Sequence, residues 1–94
     1  MAIDFIIHDH TDNVGVAVVE GLKAGSSVTG WLMQDNQHIE LTILEDIPIG
    51  HKIALRDLAP GDTAIKYGAD IGKITAPVKR GGLVHIQNLK TKRW

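Results

Sequence analysis

Three short stretches share one pattern, and that pattern restricts the fold more than any other feature of the chain. Leu22-Lys-Ala-Gly25-Ser-Ser-Val28, Leu58-Ala-Pro-Gly61-Asp-Thr-Ala64 and Val78-Lys-Arg-Gly81-Gly-Leu-Val84 each read apolar, two residues, glycine, two residues, apolar. Glycine at the fourth place takes a positive φ without steric penalty, so each copy can turn sharply and return a strand to the core. The glycines lie 36 and then 20 residues apart, so one turn is reused at irregular spacing and no solenoid results. Between the turns, Ile39, Leu41 and Ile43 alternate with His38, Glu40 and Thr42, the two-residue period of a half-buried strand. "VGVAVV", "HKIAL" and "GLVHIQ" are short β-branched or apolar runs bounded by Gly, Pro, Asn or Asp. Only "ALRDLA", residues 54–59, has helical spacing, and Pro60-Gly61 stops it after one expected turn. The expected fold is all-β in a single domain, residues 1–94, with short strands, long coiled loops and at most one or two short helical turns.

Composition excludes several classes of function. Ten basic and eleven acidic side chains are mixed along the chain for a net charge of −1, which leaves no electrostatic footprint for nucleic acid or anionic lipid. The basic cluster Lys90, Lys92 and Arg93 reads first as a solvated tail, with a site for a phosphate or a partner's carboxylates as the alternative. With no cysteine, disulfide scaffolds, thiolate metal sites and cysteine nucleophiles are all excluded. No export signal and no apolar segment of membrane-spanning length occur, so a cytoplasmic protein that does not touch membranes is expected.

Five histidines are the richest chemical material. His8 and His10, two apart, share one face if they lie on a strand, and with Asp12 they resemble a ligand set for zinc or ferrous iron. The alternative is solvated ends of a first strand. His38 opens an alternating strand on its polar side and reads as surface. His51 and His85 each lie between a glycine turn and an apolar run, where a rigid scaffold can place a polar group for catalysis or binding. Lys52, Lys66 and Tyr67 add two cations and a phenol suited to an anionic, oxygen-rich ligand. Bonding of these groups to nearby loop carbonyls is the competing reading, and patterns alone do not choose. Trp31 and Trp94 read equally as partner anchors or, for Trp31, as core. No Walker loop, dinucleotide fingerprint, nucleophile elbow or zinc-protease helix is present.

The strings Ile47-Pro48-Ile49-Gly50-His51-Lys52-Ile53-Ala54-Leu55, Lys66-Tyr67-Gly68, Ile71-Gly72 and Val84-His85-Ile86-Gln87-Asn88 resemble the SAF domain of the altronate and galactarate dehydratase family, from about His8 to the C-terminus. The resemblance implies a SAF-type β-clip, fused to a large catalytic domain or supplied as a small separate subunit. "DNVGVAVVEGLKAG", Gly30-Trp31 and "NLKTKRW" are most similar to the small subunit of the branch that eliminates sulfite from (2R)-3-sulfolactate to give pyruvate. A small subunit of an altronate or related sugar-acid dehydratase is the alternative, and a non-catalytic SAF binding or assembly module is the rival from another class. The resemblance further implies a large catalytic subunit as partner, a small anionic hydroxy-acid substrate, and Fe2+ held mainly by that large subunit. On this basis His51, Lys52 and His85 are expected to be catalytic, and His8, Gly50, Lys66, Tyr67 and Asn88 to bind substrate, with His51-Lys52 on a lid. The family commonly reads Val-His-x-His-Asn near its end, whereas this chain has Gln87 at the second histidine, a group that hydrogen-bonds but does not titrate near neutrality.

Overall fold

The computed structural model describes residues 2–66, 69–84 and 89–90. Among these the chain is all strand, turn and coil: β1 (Phe5–Ile7), β2 (Val14–Ala17), β3 (Ser27–Leu32), β4 (Gln37–Thr42), β5 (Lys52–Ala54), β6 (Thr63–Lys66), β7 (Ala69–Ile74), β8 (Leu83–Val84) and β9 (Leu89–Lys90). β4-β3-β1-β2-β5-β8 form a six-stranded sheet and β6-β7-β9 a three-stranded one. β1 and β3 run parallel, and among the described residues every other neighbouring pair is antiparallel. This agrees with the expected SAF-type β fold, and no helix among the described residues is long and apolar enough to cross a membrane.

β2 and β5 form a wall between two cores, and strand alternation explains how. Ala17 and Ile53 point into a cluster with Phe5, Ile7, Leu22, Val28, Leu41, Ile43 and Ile47. Val14 and Ala54, on the opposite face of the same strands, join Leu58, Ala64, Ile74, Val78 and Val84. Gly15 and Gly30 lie against the buried Phe5 ring, and a β-carbon at either position would overlap it. The second sheet is fastened to the first by Asn13, which is 3% exposed. Its Oδ1 accepts from the Ile65 N–H and its Nδ2 donates to the Thr63 carbonyl, both at 2.7 Å.

Among the described residues four glycine turns share one geometry, the three of the repeated pattern and the one read before His51. Gly25, Gly50, Gly61 and Gly81 have φ of 88°, 83°, 92° and 87°. In each turn the residue after the glycine donates its N–H to the carbonyl three positions earlier, Ser26 to Lys23, His51 to Pro48, Asp62 to Ala59 and Gly82 to Lys79. Glycine at the third position with positive φ makes these type II turns. The apolar residues that lead into them pair across the molecule, Leu22 with Ile47 and Leu58 with Val78. The two pairs are built alike. Asp46 Oδ1 accepts from the Ala24 N–H at 2.9 Å and Asp57 Oδ1 from the Arg80 N–H at 2.8 Å, while Lys23 and Lys79 stand 3.6 and 3.9 Å from the same two carboxylates. The Ala24 N–H, with a smaller contribution from Lys23, holds the Asp46 carboxyl below its ordinary pKa.

The helical turn expected over residues 54–59 does not form. Leu58 is instead committed to the antiparallel bridge with Val78, Asp57 to the Arg80 N–H, and Pro60 to the second position of a type II turn. These non-local bonds outweigh one turn of helix, which is unfavourable to nucleate.

Glycine is required unequally at the turns. A β-carbon on Gly25 meets nothing within 4 Å, whereas on Gly81 it would overlap the Thr42 carbonyl oxygen. Gly25→Ala should cost about 1–2 kcal/mol from its φ alone. Gly81→Ala should cost about 3 kcal/mol, because overpacking against backbone adds to the same strain. Urea denaturation of both variants tests this, and equal midpoints would show that the Thr42 strand moves aside freely.

Candidate functional site

The second turn, Pro48 to His51, delivers the chain into β5 beside β2. The Gly50 N–H donates to the Ala17 carbonyl at 2.8 Å, and the Ala17 N–H donates to the His51 carbonyl at 2.9 Å. His51 is thereby level with Ala17, and Lys52 is paired on one side with Val16 and on the other with Val84. Main-chain bonds on both flanks fix where these two residues stand. The His51 side chain is exposed, with Nδ1 3.4 Å from the Ile49 carbonyl, longer than a good hydrogen bond. Lys52 is half-buried and, by alternation, shares the face of Ala54 at the margin of the second core. Among the described residues its ammonium has no carboxylate partner. A half-buried cation with no carboxylate beside it among the described residues is suited to an anion arriving from outside.

The histidines near the N-terminus are arranged otherwise than expected. β1 ends at Ile7, so His8 and His10 do not share a strand face. The chain bends there because Asp9 takes the Thr11 N–H and hydroxyl, each at 2.9 Å, and these bonds, the N–H first, hold the Asp9 carboxyl below its ordinary pKa. The Asp12 N–H closes the same bend on the Asp9 carbonyl at 2.9 Å. His10 turns toward the β3–β4 hairpin, its Nδ1 2.5 Å from Gln34 Oε1 and 4.0 Å from Asp35. Among the described residues no three His, Cys, Asp or Glu side chains are grouped to hold a metal ion. His8 is half-buried and follows the last residue of β1.

Of the other residues singled out, Gly50 is the turn residue itself and His38 is exposed on β4, as its polar register implied. Trp31 is half-buried and spends its indole N–H on Asn36 Oδ1 at 3.0 Å, a local bond across the hairpin tip. Lys66 ends β6 with its backbone paired to Ala69. Its side chain, together with Tyr67, His85, Gln87, Asn88 and Trp94, lies outside the described residues. The residue that sequence reasoning overlooked is Asn13, which no local pattern distinguishes from any other turn asparagine. The glycine turn read before His51 has, in Ile47-Pro48-Ile49-Gly50-His51-Lys52-Ile53, the same spacing as the other three.

Comparison with known proteins bears on what this arrangement serves. Residues 3–92 match the family described as the altronate/galactarate dehydratase SAF domain. A protein of Chromohalobacter salexigens named (2R)-sulfolactate sulfo-lyase subunit alpha is 50% identical over 94 residues, covering all of both chains. A protein of the same name from Paracoccus pantotrophus is 57% identical over 60 residues, 64% of this chain and 90% of that one. Altronate dehydratase of Escherichia coli is 41% identical over 80 residues, which is 85% of this chain but 15% of the larger enzyme.

Proposed function

This chain belongs to the altronate/galactarate dehydratase SAF-domain family, and from that premise we propose that it is the small subunit of a lyase that eliminates sulfite from (2R)-3-sulfolactate to give pyruvate. The observation that carries this reading is the end-to-end match to a protein named as a sulfo-lyase alpha subunit, with no residue of either chain left over. A name that includes "alpha" also supports a second kind of subunit, which we take to be the large catalytic one.

The reaction removes the proton on the hydroxyl-bearing carbon and breaks the bond between the neighbouring carbon and sulfur. Sulfite leaves with the bonding electrons, and the enol that remains becomes pyruvate. Negative charge rises on the carboxylate side and on the departing sulfonate, so fixed donors and cations there lower the barrier. Lys52 supplies such a cation, held by pairing on both edges of β5. His51, one residue earlier on the exposed turn, is proposed to donate a hydrogen bond or move a proton at the same ligand. Together they form a lid that closes on a substrate carried mostly by the large subunit. His85, Tyr67, Lys66 and Asn88 are proposed to complete the wall. The described residues do not fit Fe2+, and any iron is assigned to the large subunit.

The test is to co-purify the chain with its large partner and assay sulfite release from sulfolactate beside dehydration of altronate. Sulfite release without altronate turnover is expected. Altronate turnover alone would move the chain to the sugar-acid branch, where the 41% identity to altronate dehydratase makes it the second reading. Neither activity, in a complex that assembles at constant ratio, would leave a binding module.

A further inference from the structure

The four glycine turns share one backbone plan, but they are not closed by the same side chains. In the third turn the Ala59 N–H is taken by Asp62 Oδ2 at 2.8 Å, while the Asp62 N–H closes the turn on the Ala59 carbonyl at 3.0 Å. The side chain at position 62 is therefore occupied by the backbone three residues before it. In the second turn Pro48 stands where Ala59 stands and His51 where Asp62 stands, counted from Gly50 and Gly61. The His51 N–H closes that turn on the Pro48 carbonyl at 3.1 Å in the same way. Proline has no N–H, so a side chain at position 51 has no backbone donor to satisfy.

The geometry points to Pro48 as a positioning residue: by deleting the donor that a side chain at position 51 would otherwise bind, it keeps the His51 imidazole free for an incoming ligand. This rests on reading His51 as a ligand-facing group. Imidazole Nδ1 is as many bonds from Cα as a carboxylate Oδ, so a donor restored at position 48 would be within its reach, as the Ala59 N–H is within reach of Asp62. A neutral ring would accept on Nδ1 and settle over the turn. With proline in place the ring has, among the described residues, the long 3.4 Å approach to the Ile49 carbonyl. The substitution from Ala-and-Asp to Pro-and-His thus replaces a turn lock with a free, titratable group beside a cation.

Two measurements on the full chain, neither needing the large subunit, test this apart from the lyase assignment. In urea, Asp62→Ala should lower the unfolding midpoint by about 0.5 M, from one lost hydrogen bond at ordinary denaturant sensitivity, while His51→Ala leaves it unchanged. By NMR at about pH 8.5, where a free imidazole is neutral, the His51 χ1 should be averaged among rotamers in the native turn. In Pro48→Ala it should collapse to one rotamer, with a ring contact to the new amide. A midpoint loss for His51→Ala equal to that for Asp62→Ala would overturn the proposal, and this contrast does not require Pro48→Ala to fold. An averaged ring in a folded Pro48→Ala chain would overturn it as well. Loss of sulfite release in a His51 variant whose ring proves to be structurally committed would refute this inference and leave the lyase reading standing.

Discussion

Truncating Asn13 to Ala should lower the unfolding free energy by about 2–3 kcal/mol, a large share of the roughly 5–15 kcal/mol available to an ordinary domain. The carboxamide is buried, and both of its ends are used: Oδ1 receives the Ile65 N–H and Nδ2 reaches the Thr63 carbonyl. The backbone of the same residue joins both sheets again, donating to the Ile65 carbonyl at 3.1 Å and accepting from the Leu55 N–H at 3.0 Å. Alanine keeps the backbone bonds but leaves a donor on β6 and an acceptor beside it without partners in a half-buried seam. Leaving such groups unmade costs more than the mean worth of the bonds themselves. Asp is no remedy, because it replaces the Nδ2 donor with an oxygen facing the Thr63 carbonyl and adds charge where solvent is scarce. Urea or thermal unfolding of the free chain decides the matter, with exposed Gln37→Ala as reference. An Asn13→Ala midpoint indistinguishable from the Gln37→Ala midpoint would show that packing alone joins the sheets.

The second large effect concerns the assembled lyase. Lys52→Ala or His51→Ala should reduce kcat/KM by about 10²–10³, the usual loss when one preorganised donor to a developing anion is removed from a water-excluded site. Lys52→Met is the sharper variant, since it keeps an apolar stem of similar length against the sheet and removes only the charge. It should leave the folding midpoint of the small subunit near that of the parent chain while losing turnover as Lys52→Ala does. Turnover maintained in both the Lys52→Met and the His51→Ala enzymes would remove the lid from the mechanism. A loss confined to KM would make the pair a binding clamp for the ground state.

These two residues of interest, Asn13 and His51, mark where local sequence is informative and where it is not. The glycine turns were readable because positive φ has few chemical solutions, and glycine at a fixed place after an apolar residue announces them. The alternating run of β4 was readable because a strand with one buried face imposes a two-residue period. Membership in the SAF family was carried by short strings around the same turns. The helical turn over residues 54–59 did not form because Leu58 and Asp57 are claimed by partners 20 or more residues away. The shared face of His8 and His10 was lost to a local bend, in which Asp9 takes the Thr11 N–H and hydroxyl after β1 has ended.

By its sequence alone, then, the chain was determined to be a β protein of repeated glycine turns with an imidazole and an ammonium group following one of them. Only the tertiary structure decided that the turns pair as Leu22 with Ile47 and Leu58 with Val78, and that one buried asparagine joins the sheets. It alone ended β1 before His8 and left Lys52 without a carboxylate among the described residues. Periodicity and turn chemistry are local properties of a backbone, while pairing, burial and charge matching depend on which distant segment arrives alongside.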